Sequence, residues 1–185
     1  MKKSASQKIR ALPSPGEIRK ITIVPWDSLI IAVDRFASDC TKEYDLIVGI
    51  AKGGLPIAVC LAHRLKNVRF SAMLKNYIDV SQDPFFVFKK NPSGILRDDS
   101  SILPVYDKKA KRILVVDDVT TFGNSLETAE LLIRKQVKDV EVDFFVYALD
   151  AARLVESKPK ILQRVKCHLI IDNRLEWLQF PWEKE

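Results

Sequence analysis

The sequence predicts an α/β fold in which a mainly parallel central sheet is flanked by helices. Two apolar, strand-like segments, which begin at Asp45 and at Ile113, are each followed by a glycine-containing loop and then by a helical pattern. A third apolar run, 140–149, follows the second of these helices. Continuous hydrophobic runs are typical of parallel strands buried on both faces, and strands that alternate with helices indicate a parallel sheet.

The remaining elements follow from hydrophobic periodicity and from breaker residues. The stretch 76–107 is rich in Asp, Ser, Pro and aromatic residues and has little periodicity, so we expect a functional loop there. In chain order, the predicted elements are a strand at 21–24, a helix at 26–40, a strand from 45, a helix that ends near 64, a strand at 68–74, the loop at 76–107, a strand at 113–116, a helix at 125–135, a strand at 140–149 and a short strand at 167–171.

The length and composition are those of one globular domain. The chain has 185 residues, of which 47% are hydrophobic, so it can bury a sizeable core. No apolar run is long enough to span a membrane, and the basic start of the chain lacks the hydrophobic region of a signal peptide. The three cysteines are widely spread, and neither histidine has a partner at metal-ligand spacing. We therefore expect a cytoplasmic protein with reduced thiols and no membrane association.

The charge of the chain favours anionic partners. The net charge is +6 and the isoelectric point is about 9.2. The basic runs at the start of the chain and at 108–112 are short and lack interleaved aromatic residues, which is more typical of a solvated face than of nucleic-acid binding. A substrate with several phosphates accounts for the charge without a nucleic acid.

The segment 113–125 is the most informative part of the chain. Its apolar strand leads directly to Asp117 and Asp118, and a helix follows a small, hydroxyl-rich turn. A helix amino terminus offers unpaired N–H donors, so the residues from Thr121 to Ser125 can enclose one phosphate, with Gly123 allowing close approach. The carboxylates would repel that phosphate, and we expect them to accept hydrogen bonds from sugar hydroxyls or to meet Mg²⁺ directly or through water. This pattern indicates a phosphorylated ribose.

Two other interpretations of these residues are open at this point. Asp117 and Asp118 can end a strand in solvent while Ser125 caps a helix, because these residue types are common at such places. A phosphoacceptor domain with an acidic Mg²⁺ pocket also uses paired carboxylates, although it normally places them on its first strand.

A second anion loop follows the strand that begins at Asp45. Gly53 and Gly54 let backbone amides approach an anion closely, and Lys52 adds a mobile positive charge. By themselves the two glycines also fit an ordinary tight turn. The presence of two strand, loop and helix units of this kind points to a single ligand with anionic groups at both ends.

The segment 113–125 resembles the 5-phosphoribosyl 1-diphosphate signature of the type I phosphoribosyltransferases. The chain departs from that signature at Thr120, where an aliphatic residue is usual, and at Phe122, where a small residue is usual. The resemblance implies the type I phosphoribosyltransferase fold, a first loop that binds diphosphate, a cis peptide bond before Lys52, and a flexible loop at about 76–107 that closes over the diphosphate.

The tail from Trp177 to Glu183 is similar to that of the xanthine-guanine and related 6-oxopurine phosphoribosyltransferases. By that resemblance, Trp177 stacks on the purine and Leu178 supplies main-chain contacts, whereas the simplest interpretation of Phe180 and Trp182 is packing on the core. The segment 24–37 also resembles the opening of that group. The implied organisation is one domain, 1–185, with a core at about 21–150 and a hood from 1–20 and 151–185.

The resemblance also implies roles for individual residues. Lys52, Asp117 and Asp118 would be catalytic, and the two carboxylates would also bind Mg²⁺ directly or through water. Contacts with the substrates would come from both loops and from the tail, namely Ala51, Gly53, Gly54, Val119, Thr120, Thr121, Phe122, Gly123, Asn124, Ser125, Trp177 and Leu178.

The implied reaction transfers the phosphoribosyl group of 5-phosphoribosyl 1-diphosphate to hypoxanthine, guanine or xanthine, with Mg²⁺ as cofactor, in a homodimer or homotetramer. Thr121 stands where many purine enzymes have an acid, and a hydroxyl is not a general base near neutral pH. The residue that usually reads the 6-oxo group is also displaced, so the nearest basic candidates are Arg153, Lys158 and Lys160. Two alternatives therefore stay open: the same reaction on another base, orotate or adenine, and a non-catalytic sensor of phosphoribosyl diphosphate or a nucleotide.

Overall fold

The computed structural model describes residues 20–66, 68–73, 109–172 and 176–183. The predicted loop at 76–107 and residues 1–19 of the predicted hood lie outside the described residues. Within these ranges, no helix combines the length and the hydrophobicity needed to cross a membrane. The elements are β1 (Lys20–Ile23), α1 (Trp26–Asp39), β2 (Leu46–Ile50), α2 (Gly54–Arg64), β3 (Arg69–Met73), β4 (Arg112–Thr120), α3 (Asn124–Gln136), β5 (Glu141–Leu149), α4 (Ala151–Ser157), α5 (Pro159–Leu162), β6 (Val165–Ile170), β7 (Glu176–Gln179) and a short 3₁₀ helix (Pro181–Glu183).

A five-stranded sheet forms the centre of the molecule, with the strand order β3-β2-β4-β5-β6. All of its pairings are parallel, which confirms the predicted α/β class with a mainly parallel sheet. The chain runs from β2 outward to β3 and then crosses back to β4 on the other side of β2. Parallel sheets bind ligands at the carboxyl ends of their strands where the order reverses in this way, and here that point lies between β2 and β4.

The two faces of the sheet are covered by different helices. Ile113 and Val115 of β4 are fully buried in a cluster with the apolar side of α3 and with residues of α4 and α5. Leu114 and Val116 are fully buried in a second cluster with α1 and α2. Because side chains of a strand alternate between faces, burial on both sides requires the continuous apolar run that the sequence contains.

A separate pair of parallel strands joins the two ends of the described chain. β1 pairs with β7 in a register that runs from Lys20 opposite Glu176 to Ile23 opposite Gln179. The predicted hood from 1–20 and 151–185 stays a prediction, because 1–19 lie outside the described residues. The carboxyl-terminal part of that expectation was too broad, however, because β6 is an edge strand of the central sheet and only 176–183 joins β1. The short elements α4, α5 and β7 were not predicted.

Candidate active site

The strand that carries the two carboxylates is longer than predicted. β4 continues to Thr120, and its pairing with β5 extends as far as Thr120 opposite Leu149. Asp117 and Asp118 are therefore strand residues and do not lie in the turn. Since Val115 faces α3 and Val116 faces α1 and α2, the alternation of the strand sends Asp117 to the first face and Asp118 to the second.

Each of the two carboxyl groups accepts a backbone hydrogen bond at the end of β4. Oδ1 of Asp117 accepts from the N–H of Asp118 at 3.0 Å, and Oδ1 of Asp118 accepts from the N–H of Val119 at 2.7 Å. Burial raises the pKa of Asp118, and the negative charge of Glu183 raises it further, although the Val119 N–H acts in the opposite direction. The Asp118 carboxylate thus stands in a setting that favours a bound cation or hydrogen-bond donor.

The first loop, Ala51 to Gly54, packs directly on this end of β4. The peptide bond between Ala51 and Lys52 is cis, as the family resemblance implied. A Cβ atom on Gly54 would lie 2.2 Å from the carbonyl oxygen of Val116, and one on Gly53 would lie 1.7 Å from Oδ2 of Asp118. Both glycines are therefore required by close packing and not only by a turn, while Lys52 is exposed to solvent.

The second loop joins β4 to the amino terminus of α3. Gly123 has a φ of 73° and is the N-cap residue, and α3 begins at Asn124. The alternative in which Ser125 caps the helix is wrong, because Ser125 already lies within the first turn. Val119 and Thr120 end β4, while Thr121 and Phe122 form the turn. The predicted phosphate loop, 121–125, thus stands at a helix amino terminus, where backbone N–H groups point outward.

Phe122 packs against α4, an element that the hydrophobic pattern did not reveal. The guanidinium carbon of Arg153 lies 5.2 Å from the centre of the Phe122 ring. α4 begins after Asp150, whose Oδ1 accepts from the backbone N–H of Arg153 at 3.1 Å, so an Asp suited to the N-cap position was the available signal. Lys158 forms an ion pair with Glu127 in the first turn of α3. Two of the basic candidates for reading the 6-oxo group are therefore placed beside the phosphate loop.

The tail packs across the same edge of the central sheet. Phe180 contacts Tyr147, two residues before the end of β5, with ring centres 5.6 Å apart, and stacks on Trp182 at 4.9 Å. This confirms the packing interpretation of Phe180 and Trp182. Trp177 and Leu178 lie in β7 opposite Ile21 and Thr22, with Trp177 half-buried and Leu178 buried.

Comparison with known proteins agrees with this geometry. A family model for the phosphoribosyl transferase domain matches residues 22–183, which is most of the chain. The chain belongs to this family. The orotate phosphoribosyltransferase of Saccharolobus solfataricus is 37% identical over 90 residues, a match that covers 49% of this chain and only 36% of that protein.

Solved structures with the phosphoribosyl transferase fold superpose on most of the chain. A purine phosphoribosyltransferase from Pyrococcus horikoshii has a TM-score of 0.64 at 22% identity, covering 90% of this chain and 96% of that one. The xanthine-guanine-hypoxanthine phosphoribosyltransferase of Helicobacter pylori has a TM-score of 0.55 at 18% identity, covering 90% and 94%. At these identities the comparisons establish the type I phosphoribosyltransferase fold.

The phosphoribosyl transferase family implies a Mg²⁺ ion, and the donors present fit one that arrives with a substrate. Across 20–66, 68–73, 109–172 and 176–183, no three His, Cys, Asp or Glu side chains converge into a metal site. Asp117 and Asp118 lie near the carboxyl end of β4, where the Asp118 carboxylate contacts the first loop. Mg²⁺ is usually held by one or two carboxylates together with substrate phosphates and water. The donor set therefore fits a jointly bound ion and not a closed site made of protein alone.

Proposed function

We propose that the chain is a phosphoribosyltransferase that transfers the 5-phosphoribosyl group of 5-phosphoribosyl 1-diphosphate to hypoxanthine, guanine or xanthine and releases diphosphate. One observation carries this proposal. The first loop, Ala51 to Gly54, and the predicted phosphate loop, 121–125, both lie next to Asp117 and Asp118, at the point between β2 and β4 where the strand order reverses. The loops approach from β2 and from β4, so a ligand that spans the carboxylates would have one anionic group on each side.

Each loop has a distinct task in the proposed complex. Lys52 and the amides of Gly53 and Gly54 would hold the diphosphate, and the amides from Thr121 to Ser125 would hold the 5-phosphate. The carboxylates would lie between these groups and would accept hydrogen bonds from the ribose hydroxyls. Because Asp117 and Asp118 face opposite sides of the sheet, we expect only Asp118 to be coupled directly to the first loop.

The reaction forms a bond between a base nitrogen and the anomeric carbon of ribose while the bond from that carbon to the diphosphate oxygen breaks. The residues named here would act by positioning the sugar and by balancing the charge of the departing diphosphate. When bound, Mg²⁺ supplies charge neutralisation on the diphosphate. Lys52 is exposed to solvent, and its long side chain would reach the leaving diphosphate.

A 6-oxopurine is the proposed acceptor because of the tail. Phe180 and Trp182 anchor the tail over the carboxyl edge of the sheet, and the negative charge of Glu183 is close enough to raise the pKa of Asp118. Trp177 would stack on the purine from β7, and the main chain at Leu178 would contact the exocyclic groups. These roles for the tail rest on the resemblance to 6-oxopurine enzymes.

Orotate is the second candidate acceptor. Thr121 provides no carboxylate at the position where many purine enzymes have one, and orotate enzymes also lack an acid there. The sequence similarity to an orotate phosphoribosyltransferase favours the same alternative. The fold is common to both groups, so the choice of base needs a direct measurement.

The test is an assay with Mg²⁺, 5-phosphoribosyl 1-diphosphate and each of hypoxanthine, guanine, xanthine, adenine, orotate and uracil, following nucleotide formation. Product from a 6-oxopurine is the expected result, and product from orotate alone would replace it with the second candidate. Binding of phosphoribosyl diphosphate without product from any base would leave a sensor as the explanation. The double variant Asp117→Asn and Asp118→Asn should lose activity, whereas Asp139→Asn, at an exposed position with a φ of 54° that Asn tolerates, is the matched control.

A further inference from the structure

The phosphate loop, 121–125, and the residue before it contact α4 and its N-cap residue at several positions. The N–H of Asp150 donates to the carbonyl of Thr120 at 3.0 Å, just before the loop. The hydroxyl of Ser157 lies 3.0 Å from the carbonyl oxygen of Phe122 and shares its hydrogen between that acceptor and the carbonyl of Arg153 at 2.8 Å. A Cβ atom on Gly123 would lie 2.6 Å from Cδ1 of Leu154. The loop and α4 thus pack as one unit.

Arg153 has the central place in this unit. Its side chain is only 14% exposed, and its Nε lies 3.6 Å from Oδ2 of Asp150, which is almost fully buried. The guanidinium also covers the ring of Phe122. A guanidinium over an aromatic face is attracted by the ring and restricts its rotation, so Arg153 restrains Phe122 through its side chain while Ser157 restrains its main chain.

This arrangement explains why a bulky residue fits where the family signature usually has a small one. The ring of Phe122 is partly buried against α4, next to Arg153, which accommodates its volume outside the row of backbone amides at the start of α3. The loop amides must be held in place before a phosphate binds, because ordering them at the moment of binding would lower the affinity.

We propose that Arg153 is a positioning residue for the phosphate loop, acting through the ring of Phe122 to hold the 121–125 amides in their phosphate-binding arrangement. This inference rests on the proposed function, since it takes the 5-phosphate of the substrate as the ligand of that loop. In this proposal Arg153 does not contact the 6-oxo group of the base, the role for which its position after β5 made it a candidate. The proposal also predicts that the two anionic ends of the substrate respond differently to changes in α4.

The experiment measures the dissociation constants of ribose 5-phosphate and of inorganic diphosphate by calorimetry, together with the KM values for phosphoribosyl diphosphate and for the base. Arg153→Gln and Phe122→Leu should each weaken ribose 5-phosphate binding by about threefold to thirtyfold, the range expected from losing a cation–π contact, with no change for diphosphate. Both changes remove the same contact. The double variant should therefore bind ribose 5-phosphate with about the affinity of the single variant that binds it less tightly.

Two further variants make the outcome decisive. Arg153→Lys keeps a positive charge beside Asp150 but loses the planar contact with Phe122, so it should bind ribose 5-phosphate more weakly than the unchanged protein. If Arg153→Gln does not fold, Arg153→Lys is the variant that tests the Arg153 contact. Arg35→Gln removes an exposed arginine on α1 and should bind both probes normally. Full affinity in Arg153→Lys together with full affinity in Phe122→Leu would overturn the proposal, as would equal weakening of both probes. Failure of the unchanged protein to bind ribose 5-phosphate or diphosphate would overturn the proposed function and this inference together.

Discussion

Gly53 and Asp118 are packed so closely that no side chain fits between them. A Cβ atom on Gly53 would lie 1.7 Å from Oδ2 and 2.2 Å from Cγ of Asp118, well inside van der Waals contact. The backbone at Gly53 has φ −65° and ψ −40°, which any residue adopts. The requirement for glycine therefore comes from the carboxylate and not from backbone conformation, and it ties the first loop to the proposed ribose site.

Gly53→Ala should separate the first loop from the Asp118 carboxylate and impair catalysis. We expect a loss of about 10²-fold in kcat/KM, the scale of a misplacement of about 1 Å, together with a destabilisation of about 1 to 3 kcal/mol from overpacking. Steady-state kinetics and urea unfolding measure the two effects. In an Asp118→Ala background the same substitution should cost much less stability, and an equal cost in both backgrounds would contradict direct packing of Gly53 on Asp118.

Asp118→Asn should increase stability near neutral pH while it lowers activity. Burial raises the pKa of Asp118 in the folded protein, so the folded state holds that proton to higher pH than the unfolded state does. Ionisation of Asp118 therefore lowers the free energy of unfolding as the pH rises from about 4, the ordinary pKa of Asp, through the raised value. The Asp118→Asn variant has no ionisable group at this position, so its free energy of unfolding does not fall in this way.

Urea unfolding of both proteins between pH 4 and pH 8 measures the difference. The stability gained by Asp118→Asn should grow with pH and then become constant, and Asp139→Asn, a change at an exposed position, is the matched control. A variant that is less stable than the unchanged protein at pH 7 would mean that the Asp118 charge is stabilised by its surroundings.

Trp177 and Trp182 should respond differently to truncation. Trp182→Leu removes the stack on Phe180 and the edge contact with Trp26, in which the ring centres of Trp26 and Trp182 are 5.8 Å apart. This substitution should destabilise the protein by about 1 to 3 kcal/mol and change the KM for the base little. Trp177→Leu should raise the KM for the base by about tenfold because base stacking is lost. Thermal unfolding and kinetics distinguish the two, and an unchanged base KM in Trp177→Leu would remove the stacking role.

The contact between Glu130 and Arg164 should make stability fall in acid. Arg164 donates to both carboxylate oxygens of Glu130, at 2.9 and 2.7 Å, and joins α3 to the segment before β6. Burial alone would raise the pKa of Glu130, but hydrogen bonds from Arg164 and Arg134 outweigh it and the pKa is lowered. The stabilisation is therefore complete above about pH 4.5, the range of an unfolded Glu, and is lost as the pH falls through the lowered value.

Glu130→Gln should remove this pH dependence and lower the free energy of unfolding at pH 7 by about 2 kcal/mol, as expected for charge-assisted hydrogen bonds. Asp39→Asn is the matched control, because its pair with Arg35 is exposed on both sides and should contribute less than about 0.5 kcal/mol. Equal effects of the two substitutions, measured by urea unfolding, would contradict the structural importance of the Glu130 contact.

The elements that the sequence predicted well are those in which local pattern and burial agree. α1 was expected at 26–40 and spans Trp26–Asp39, and both loops were located by glycines that follow apolar strands. The extension of β4 through Thr120 was missed because its last residues are partly polar. Their strand conformation comes from pairing with β5, which a single segment does not reveal.

The strand β7 and the helix α4 were missed for a related reason. β7 has four residues, and its conformation depends on β1, including a hydrogen bond from Thr22 to Glu176 across 154 positions of sequence. The contact between Arg153 and Phe122 was hidden because Arg153 lies in α4 and Phe122 lies in the loop before α3. Such tertiary relationships override local propensity, whereas Asp117 and Asp118 could be named as candidates because the residues around them form a local pattern.

The pairing of β1 with β7 also sets the order in which the molecule is completed during synthesis. At about 5 to 20 residues per second, a ribosome needs about 8 to 30 seconds to make the 154 positions that separate Thr22 from Glu176. The strands β2 to β5 are made well within that interval, but β1 has no partner until β7 emerges. The two loops that we propose to bind anions are therefore made before the strand that carries Trp177, so a chain stalled late in translation would contain the proposed phosphate site without the proposed base site.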